Sequence, residues 1–368
     1  MHPVRLSVLL AVSLTAGLAL AQSATSTGVS RDLNPALSVN TLLLGRVADK
    51  DTDAAVNGMD LQEAEMQFTS IVDPFWKANL ILAVHPADEG YEVEVEVATI
   101  DASLLPHGFG LKLGKDYLPF GKHAPLHTHQ YPFIDPPVGL QGFLGGEGLS
   151  EVGARLSHAV PLPWYADLDV YAVDGGAEIF DAASRDLVFG ARFANLLDLG
   201  DTATLELGGS WLHGPHAPGF LDTDPAVAGT LDLLGADITY KWVSASSSQG
   251  PACEVTAEVI LPQVDGAAGD PFGWYANARY RFARSWWVGA QVGGLDRDLA
   301  DPAAAGPAAL FGWDKVRETK ANLTWAPSEF SALRLEVAHY DDQIGQADDT
   351  LVSLQANFTI GSHPAHMY

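Results

Sequence analysis

Three histidines lie close together in a stretch of the chain that is rich in proline and glycine. His123, His127 and His129 follow the spacing H-x3-H-x-H, and the carboxylate of Asp135 lies a few residues further on. Neutral imidazole is a common ligand of zinc, copper and nickel, and side chains two residues apart in an extended chain share a face. We therefore predict a transient site for zinc or another divalent metal at these four residues, and no obligatory cofactor. The alternative is that the histidines hydrogen-bond their own loop or stand exposed on it.

The segment that carries these residues, 117–148, is too long and too rich in proline and glycine to form one strand. A loop of more than about 12–15 residues without its own secondary structure is usually either functional or disordered. We interpret this segment as the loop that decides what the protein does. Its position depends on the elements that hold it at either end.

Elsewhere the dominant pattern is strict alternation of apolar and polar residues. In residues 91–97 a tyrosine and three valines alternate with three glutamates, and residues 352–360 alternate in the same way. Such alternation indicates strands with one apolar and one polar face. We predict about sixteen strands, each long enough to cross a membrane, which takes about 9–11 residues. No helix has a comparable signal. The predicted strands begin near Ala36, Asp60, Phe75, Gly90, Phe109, Leu149, Ala166, Asp186, Thr202, Ala228, Ala252, Phe272, Arg284, Asp314, Phe330 and Asp349.

The connections between these strands alternate in length. Those after odd-numbered strands are mostly long and polar, as at 174–185 and 294–312, whereas those after even-numbered strands are mostly short, as at 73–74 and 283–284. This asymmetry is typical of outer-membrane barrels. We predict an all-β, transmembrane, antiparallel up-and-down β-barrel over residues 36–368, with 117–148 as a constriction loop folded into the lumen. The alternative is a secreted sandwich or propeller, in which the apolar faces would point inward.

The two ends of the chain predict export and assembly. His2 and Arg5 precede an apolar run that ends at Ala21, which is the pattern of a signal peptide over residues 1–21. Residues 22–35 would form a periplasmic tail, and residues 361–368 a second one. The terminal aromatic Tyr368 resembles the signal by which barrel-assembly machinery recognises its substrates. We therefore predict location in the cell outer membrane, in contact with its lipid.

Composition and motifs exclude several classes of function. The net charge is −26, so nucleic acid is not an expected partner, because phosphate binding requires a basic surface. A disulfide framework is excluded because Cys253 is the single cysteine. There is no G-x-S-x-G elbow and no H-E-x-x-H helix, so we do not predict an enzyme.

If the apolar faces meet lipid, the polar faces line the lumen. Glu92, Glu94 and Glu96 would then form an acidic wall, with Glu63 and Glu65 also facing inward, and a later strand would contribute Arg279 and Arg281. Rings of carboxylates favour cations, and rings of arginines favour anions. We predict a porin-like channel, monomeric or homotrimeric, for passive diffusion of small cationic solutes, including divalent metal ions. Two alternatives stay open: the charges neutralise one another, or the barrel is a non-conducting binding or structural protein.

Three motifs resemble those of one protein family. They are Gly-Leu-Lys-Leu-Gly-Lys-Asp-Tyr-Leu-Pro-Phe-Gly-Lys-His at 110–123, His127-x-His129 followed by Phe-Ile-Asp-Pro-Pro at 133–137 and Leu-Gly-Gly-Glu-Gly at 144–148, and the terminal His-Pro-Ala-His at 363–366. The family is a group of poorly characterised Gram-negative outer-membrane barrels, often labelled zinc-regulated or TonB-dependent receptors and remotely related to phosphate-selective porins. The resemblance implies an outer-membrane barrel and a link with zinc. Energised transport is not expected, because the chain is too short for an N-terminal plug and a barrel of about 22 strands.

Overall fold

The computed structural model describes residues 35–49, 57–87, 90–102, 105–146, 148–223, 228–245, 249–267, 269–298, 315–342 and 349–361. Within these ranges, antiparallel strands pair with their neighbours in sequence, and pairing of the first with the last closes a sixteen-stranded barrel. The strands are β1 (Ala36–Ala48), β2 (Gly58–Ile71), β3 (Lys77–Ala87), β4 (Gly90–Ala102), β5 (Phe109–Tyr117), β6 (Ser150–Pro161), β7 (Tyr165–Val173), β8 (Val188–Asp198), β9 (Ala203–Pro215), β10 (Thr230–Val243), β11 (Ala252–Val264), β12 (Phe272–Ala283), β13 (Trp286–Asp296), β14 (Lys315–Ser328), β15 (Ser331–Asp342) and β16 (Asp349–Gly361).

The predicted fold class is confirmed. Every predicted strand start lies within two residues of the observed one, because alternation and turn residues are local signals. The described residues also include a short helix that was not predicted, α1 (Val138–Leu144), which lies between β5 and β6. In the described part of the chain, no helix has both the length and the apolar character needed to span a membrane.

The outer face of the barrel is apolar. On β16, for example, Leu354 is 55% exposed, whereas its neighbours Ser353 and Gln355 are 4% and 3% exposed. Such a band of exposed aliphatic and aromatic side chains is unusual in soluble proteins but is required of a barrel that meets lipid. The sandwich and propeller alternatives, with their apolar faces inward, are therefore excluded.

The largest buried apolar cluster joins the segment between β5 and β6 to the ten strands from β7 to β16. Phe120, Leu140 and Phe143 from this segment belong to the same cluster as Leu233 on β10 and Ile260 on β11. We call residues 118–149 the long loop. Its ends are held together, because the N–H of Leu118 donates to the carbonyl of Leu149 at 2.8 Å.

Several predictions concern parts of the chain outside the described residues. They are the signal peptide (1–21), nearly all of the tail at 22–35, and the C-terminal tail after Gly361, which includes Tyr368. These stay predictions.

Candidate functional site

Side chains on the barrel strands accept hydrogen bonds from the backbone of the long loop. A long segment without strands leaves backbone donors unpaired, and buried donors need partners. Here serine and glutamate side chains on β9, β11, β14 and β15 act as the acceptors for these N–H groups. The pairs are Gly121 N–H to Ser210 Oγ (2.9 Å), Lys122 N–H to Glu258 Oε2 (3.0 Å), Ile134 N–H to Glu336 Oε2 (3.0 Å) and Val138 N–H to Glu318 Oε1 (3.2 Å).

Ion pairs attach the long loop at two widely separated parts of the barrel. Asp135 pairs with Arg46 on β1 at 2.6 Å, and the ammonium of Lys122 pairs with Glu206 on β9 at 2.6 Å. In a closed ring of sixteen strands, β1 and β9 lie eight strands apart and so face each other. The long loop therefore reaches opposite sides of the barrel.

Asp135, predicted as a metal ligand, lies in an anchoring cluster instead. Besides its pair with Arg46, its backbone carbonyl accepts a hydrogen bond from Lys320 Nζ at 3.0 Å. Burial alone would raise the pKa of Asp135, but the charges of Arg46 and Lys320 hold it below its ordinary value. The carboxylate is therefore ionised and already compensated.

Helix α1 packs directly on the backbone of β12 and β13 through its glycines. A Cβ added at Gly139 would lie 2.5 Å from the Trp274 nitrogen and 2.8 Å from the Gly294 carbonyl oxygen. Contacts this short with backbone atoms cannot be relieved by a side-chain rotation. Gly139 is therefore what allows the helix to lie against the wall.

We expect Gly139→Ala to lower the free energy of unfolding by about 1–3 kcal/mol, the usual cost of overpacking. Urea unfolding followed by tryptophan fluorescence measures this difference. The control is Gly209→Ala on β9, where a Cβ meets nothing within 4 Å. Equal stability of the two variants would show that α1 does not pack against these strands.

Two of the predicted metal ligands converge with carboxylates from the barrel wall. His127 Nδ1 lies 3.0 Å from Glu65 Oε2 on β2 and 3.0 Å from Glu96 Oε2 on β4. His129 Nδ1 lies 3.4 Å from the same oxygen of Glu65. Ligand atoms of Glu63, Glu65 and His129 lie within 4.8 Å of one another, as do those of Glu65, Glu96 and His127. We call these five residues the histidine–glutamate cluster.

Strands β2 and β4 and the long loop hold the side chains of the histidine–glutamate cluster in place. Glu63 and Glu65 are two residues apart on β2 and therefore share its inward face. The hydroxyl of Tyr117 donates to Glu96 Oε1 at 3.1 Å, and its ring meets the His127 ring edge-on. Burial lowers the pKa of His127, but the hydrogen bonds to Glu65 and Glu96 outweigh it and raise the pKa to about 10.

The structure does not bring His123 or Asp135 into this cluster. His123 is buried and stacks on Tyr275 of β12 with ring centroids 5.0 Å apart. Burial lowers the pKa of His123 to about 3, so its imidazole is neutral. Among the described residues, neither His123 nor Asp135 belongs to a group with metal-binding geometry. Of the four predicted ligands, only His127 and His129 therefore have ligand partners.

The three predicted pore-lining glutamates have different surroundings. Glu92 has a 63% exposed side chain and lies 3.4 Å from His85 Nε2. Glu94 pairs with Lys115 on β5 at 3.0 Å. Glu96 is buried within the histidine–glutamate cluster. The acidic wall predicted from the sequence is thus partly neutralised by neighbouring cations.

The two predicted pore-lining arginines lie near the short-turn end of β12. Arg279 pairs with Glu254 at 3.1 Å, and Arg281 Nε donates to the carbonyl of Gly250 at 2.7 Å. Both guanidinium groups lie over the ring of Trp287, at 5.5 and 5.2 Å from its centroid. Stacking on an indole ring attracts the guanidinium groups and holds them in place.

Cavities lie on both sides of the long loop. One of about 570 Å³, at the long-connection end, is lined by residues that include Glu94, Phe143 and Arg297. A second, of about 530 Å³, is lined by all three predicted histidines and by six basic and five acidic side chains. A third, of about 410 Å³, opens among Arg281, Trp287 and other residues of the short-turn end. The interior is therefore polar and mixed in charge.

Comparison with known proteins supports the architecture. No protein-family model matches the chain. An uncharacterized protein of Aquifex aeolicus (strain VF5) is 27% identical over 354 residues, which covers 84% of this chain and 70% of that protein.

Solved structures with the same fold come from outer-membrane proteins. They include an anion-selective porin from Comamonas acidovorans (TM-score 0.58, 13% identity, 89% of this chain and 99% of that one), OprB of Pseudomonas putida (0.59, 10%, 91% and 96%) and a trimer form of the outer membrane protein OmpT of Vibrio cholerae (0.55, 10%, 89% and 100%). Together with the apolar outer face, this fold confirms the predicted outer-membrane location. The resemblance inferred from the motifs is confirmed only as a porin-like barrel; its zinc-regulated or TonB-dependent label stays a prediction.

Proposed function

We propose that the protein is a porin-like outer-membrane channel for passive diffusion of small solutes, with the long loop folded into the lumen as its constriction. The observation that carries this proposal is that the long loop forms ion pairs with β1 and with β9, on opposite sides of the barrel. Polar cavities lie on either side of the loop. A loop that stood outside the barrel could not contact both strands. Porin barrels conduct through such a polar interior.

We further propose that the channel prefers small cations and admits divalent metal ions. Glu63, Glu65 and Glu96 place three buried carboxylates on one side of the constriction, and carboxylate rings favour cations. The porin from Comamonas acidovorans is named anion-selective, but a likeness at 13% identity concerns the fold alone.

The reversal potential in a KCl gradient across a planar bilayer tests this proposal. We expect an ohmic current whose reversal potential has the sign of the potassium equilibrium potential. The double variant Glu63→Gln and Glu96→Gln should shift this reversal potential toward zero, because two buried negative charges are removed. Glu92→Gln is the control, since its exposed charge is screened by salt and should leave the reversal potential nearly unchanged. An anion-selective current would contradict the cation preference.

A non-conducting binding or structural barrel is the second candidate. It is favoured by the packing of the long loop, where Phe120, Phe133, Ile134, Leu140 and Phe143 are at most 1% exposed. A well-packed loop can plug a barrel as well as narrow it. A silent bilayer from folded protein would favour this function over the channel.

We also propose partners for the protein. The protein would insert into outer-membrane lipid with the help of the barrel-assembly machinery and act as a monomer or a homotrimer. It would need no obligatory cofactor and catalyse no reaction.

A further inference from the structure

The histidine–glutamate cluster brings together more potential metal-ligand atoms than an ion pair between one histidine and one carboxylate. Glu63, Glu65 and Glu96 are 2–3% exposed, and they come from two strands that are not adjacent in the barrel. Buried carboxylates this close together require positive charge between them. Arg and Lys supply that charge elsewhere in the lumen, as at Asp135, Glu206 and Glu254. Here the neighbours identified by the geometry are the imidazoles of His127 and His129.

We propose that Glu65, Glu96, His127 and His129 bind one divalent transition-metal ion, with Glu63 beside His129, and that this ion fastens the long loop to β2 and β4. The ion would accept two nitrogen and two oxygen ligands, and it would displace to solvent the proton that His127 Nδ1 shares with Glu65 and Glu96. The site refines the proposed function because it lies in the same constriction, but metal binding does not require that the barrel conducts.

The distances fit a four-coordinate ion. Metal–ligand bonds of about 2.0–2.2 Å give a tetrahedron with edges of roughly 3.3–3.6 Å. Three edges of the proposed site measure 3.0 Å (His127 to Glu65), 3.0 Å (His127 to Glu96) and 3.4 Å (His129 to Glu65). Glu65 belongs to both ligand triads, so one ion can bind all four residues only if His129 moves toward His127 and Glu96.

The ligand types select the class of ion. Two imidazoles with carboxylates suit zinc, nickel, cobalt or copper, whereas magnesium and calcium prefer oxygen ligands alone. We therefore expect the site to bind Zn²⁺ in the presence of excess Mg²⁺. Because the ligands lie on two strands and one loop, occupancy would restrain the loop against the wall.

Isothermal titration of refolded, full-length protein in detergent with ZnCl₂, in buffer containing millimolar MgCl₂, tests the site. We expect one Zn²⁺ per chain, and a loss of affinity of at least about tenfold in Glu65→Gln and in the double variant His127→Ala and His129→Ala. The matched control is His213→Ala, which removes a histidine–carboxylate pair of the same 3.0 Å separation, between His213 and Asp232, whose side chains are more exposed. Its affinity should equal that of the unmodified protein.

Folding of each variant is checked first by the heat-dependent mobility of the barrel on electrophoresis. Folded protein that takes up no Zn²⁺, or cluster variants that bind as tightly as the His213→Ala control, would overturn the site. Conductance is recorded separately on the same preparations. Zinc binding by a barrel that does not conduct would support the metal site and contradict the channel. A conducting barrel that binds no zinc would support the channel and contradict the metal site.

Discussion

Replacing residues 119–148 by a two-residue Asn-Gly turn should raise the single-channel conductance several-fold. The barrel should tolerate this deletion because Leu118 and Leu149 are already hydrogen-bonded and Tyr117 pairs with Ser150. Antiparallel strands at this separation can be joined by a two-residue turn. The deletion removes the loop that contacts both β1 and β9, so the two main cavities would merge into one open lumen.

The control for this deletion replaces residues 162–164, which join β6 to β7 and line none of the three cavities, by the same kind of turn. Conductance in planar bilayers should then stay close to that of the unmodified protein. If the loop deletion also leaves conductance unchanged, the long loop does not obstruct the lumen. If the unmodified protein is silent and the deletion conducts, the loop is a plug, and the non-conducting barrel is the correct function.

The barrel could be predicted from the sequence because its signals are local. Alternation along a strand reflects the two faces of one segment, and turn residues mark where that segment ends. The starts of β1, β4, β5, β11 and β16 coincide with the predicted ones for this reason. The partners of each strand follow from the up-and-down order, which leaves little choice once the barrel is recognised.

The partners of the histidines could not be predicted in the same way. His127 and Glu65 meet only because the loop passes the inner face of β2, and no short spacing in the sequence records that contact. Glu96 adds a second difficulty, since β4 has a bulge at which Ile81 pairs with Val97 and Leu82 pairs with Val95. Glu96 is the extra residue, and a bulge re-aims a side chain without disturbing the alternation on either side.

Asp135, also predicted as a metal ligand, has partners that its sequence neighbourhood does not indicate. An aspartate near histidines is a reasonable metal ligand by spacing, but Arg46 and Lys320 reach it from β1 and β14. These cations are distant in sequence and carry no motif. The sequence thus identified the loop and two of its histidines, His127 and His129, and the packing of the loop determined which carboxylates they meet.

Lys320→Met should destabilise the protein by about 3–5 kcal/mol, because it leaves buried carboxylate and carbonyl groups without their cation. The Lys320 side chain is fully buried; its ammonium lies 2.9 Å from Glu318 and donates to the carbonyls of Asp135 and Pro136. Methionine has nearly the same length, so the loss is of charge and hydrogen bonds rather than of volume. Urea unfolding followed by tryptophan fluorescence measures the change.

The matched control is Lys315→Met on the same strand. Lys315 also pairs with a carboxylate, Asp296, but its side chain is 39% exposed, and exposed pairs contribute only about 0–1 kcal/mol. A large difference between the two variants, together with faster protease cleavage within the long loop of Lys320→Met, would show that Lys320 anchors the loop to β14. Equal effects would mean that the loop is held by its other contacts, and that Lys320 is not needed to anchor it to β14.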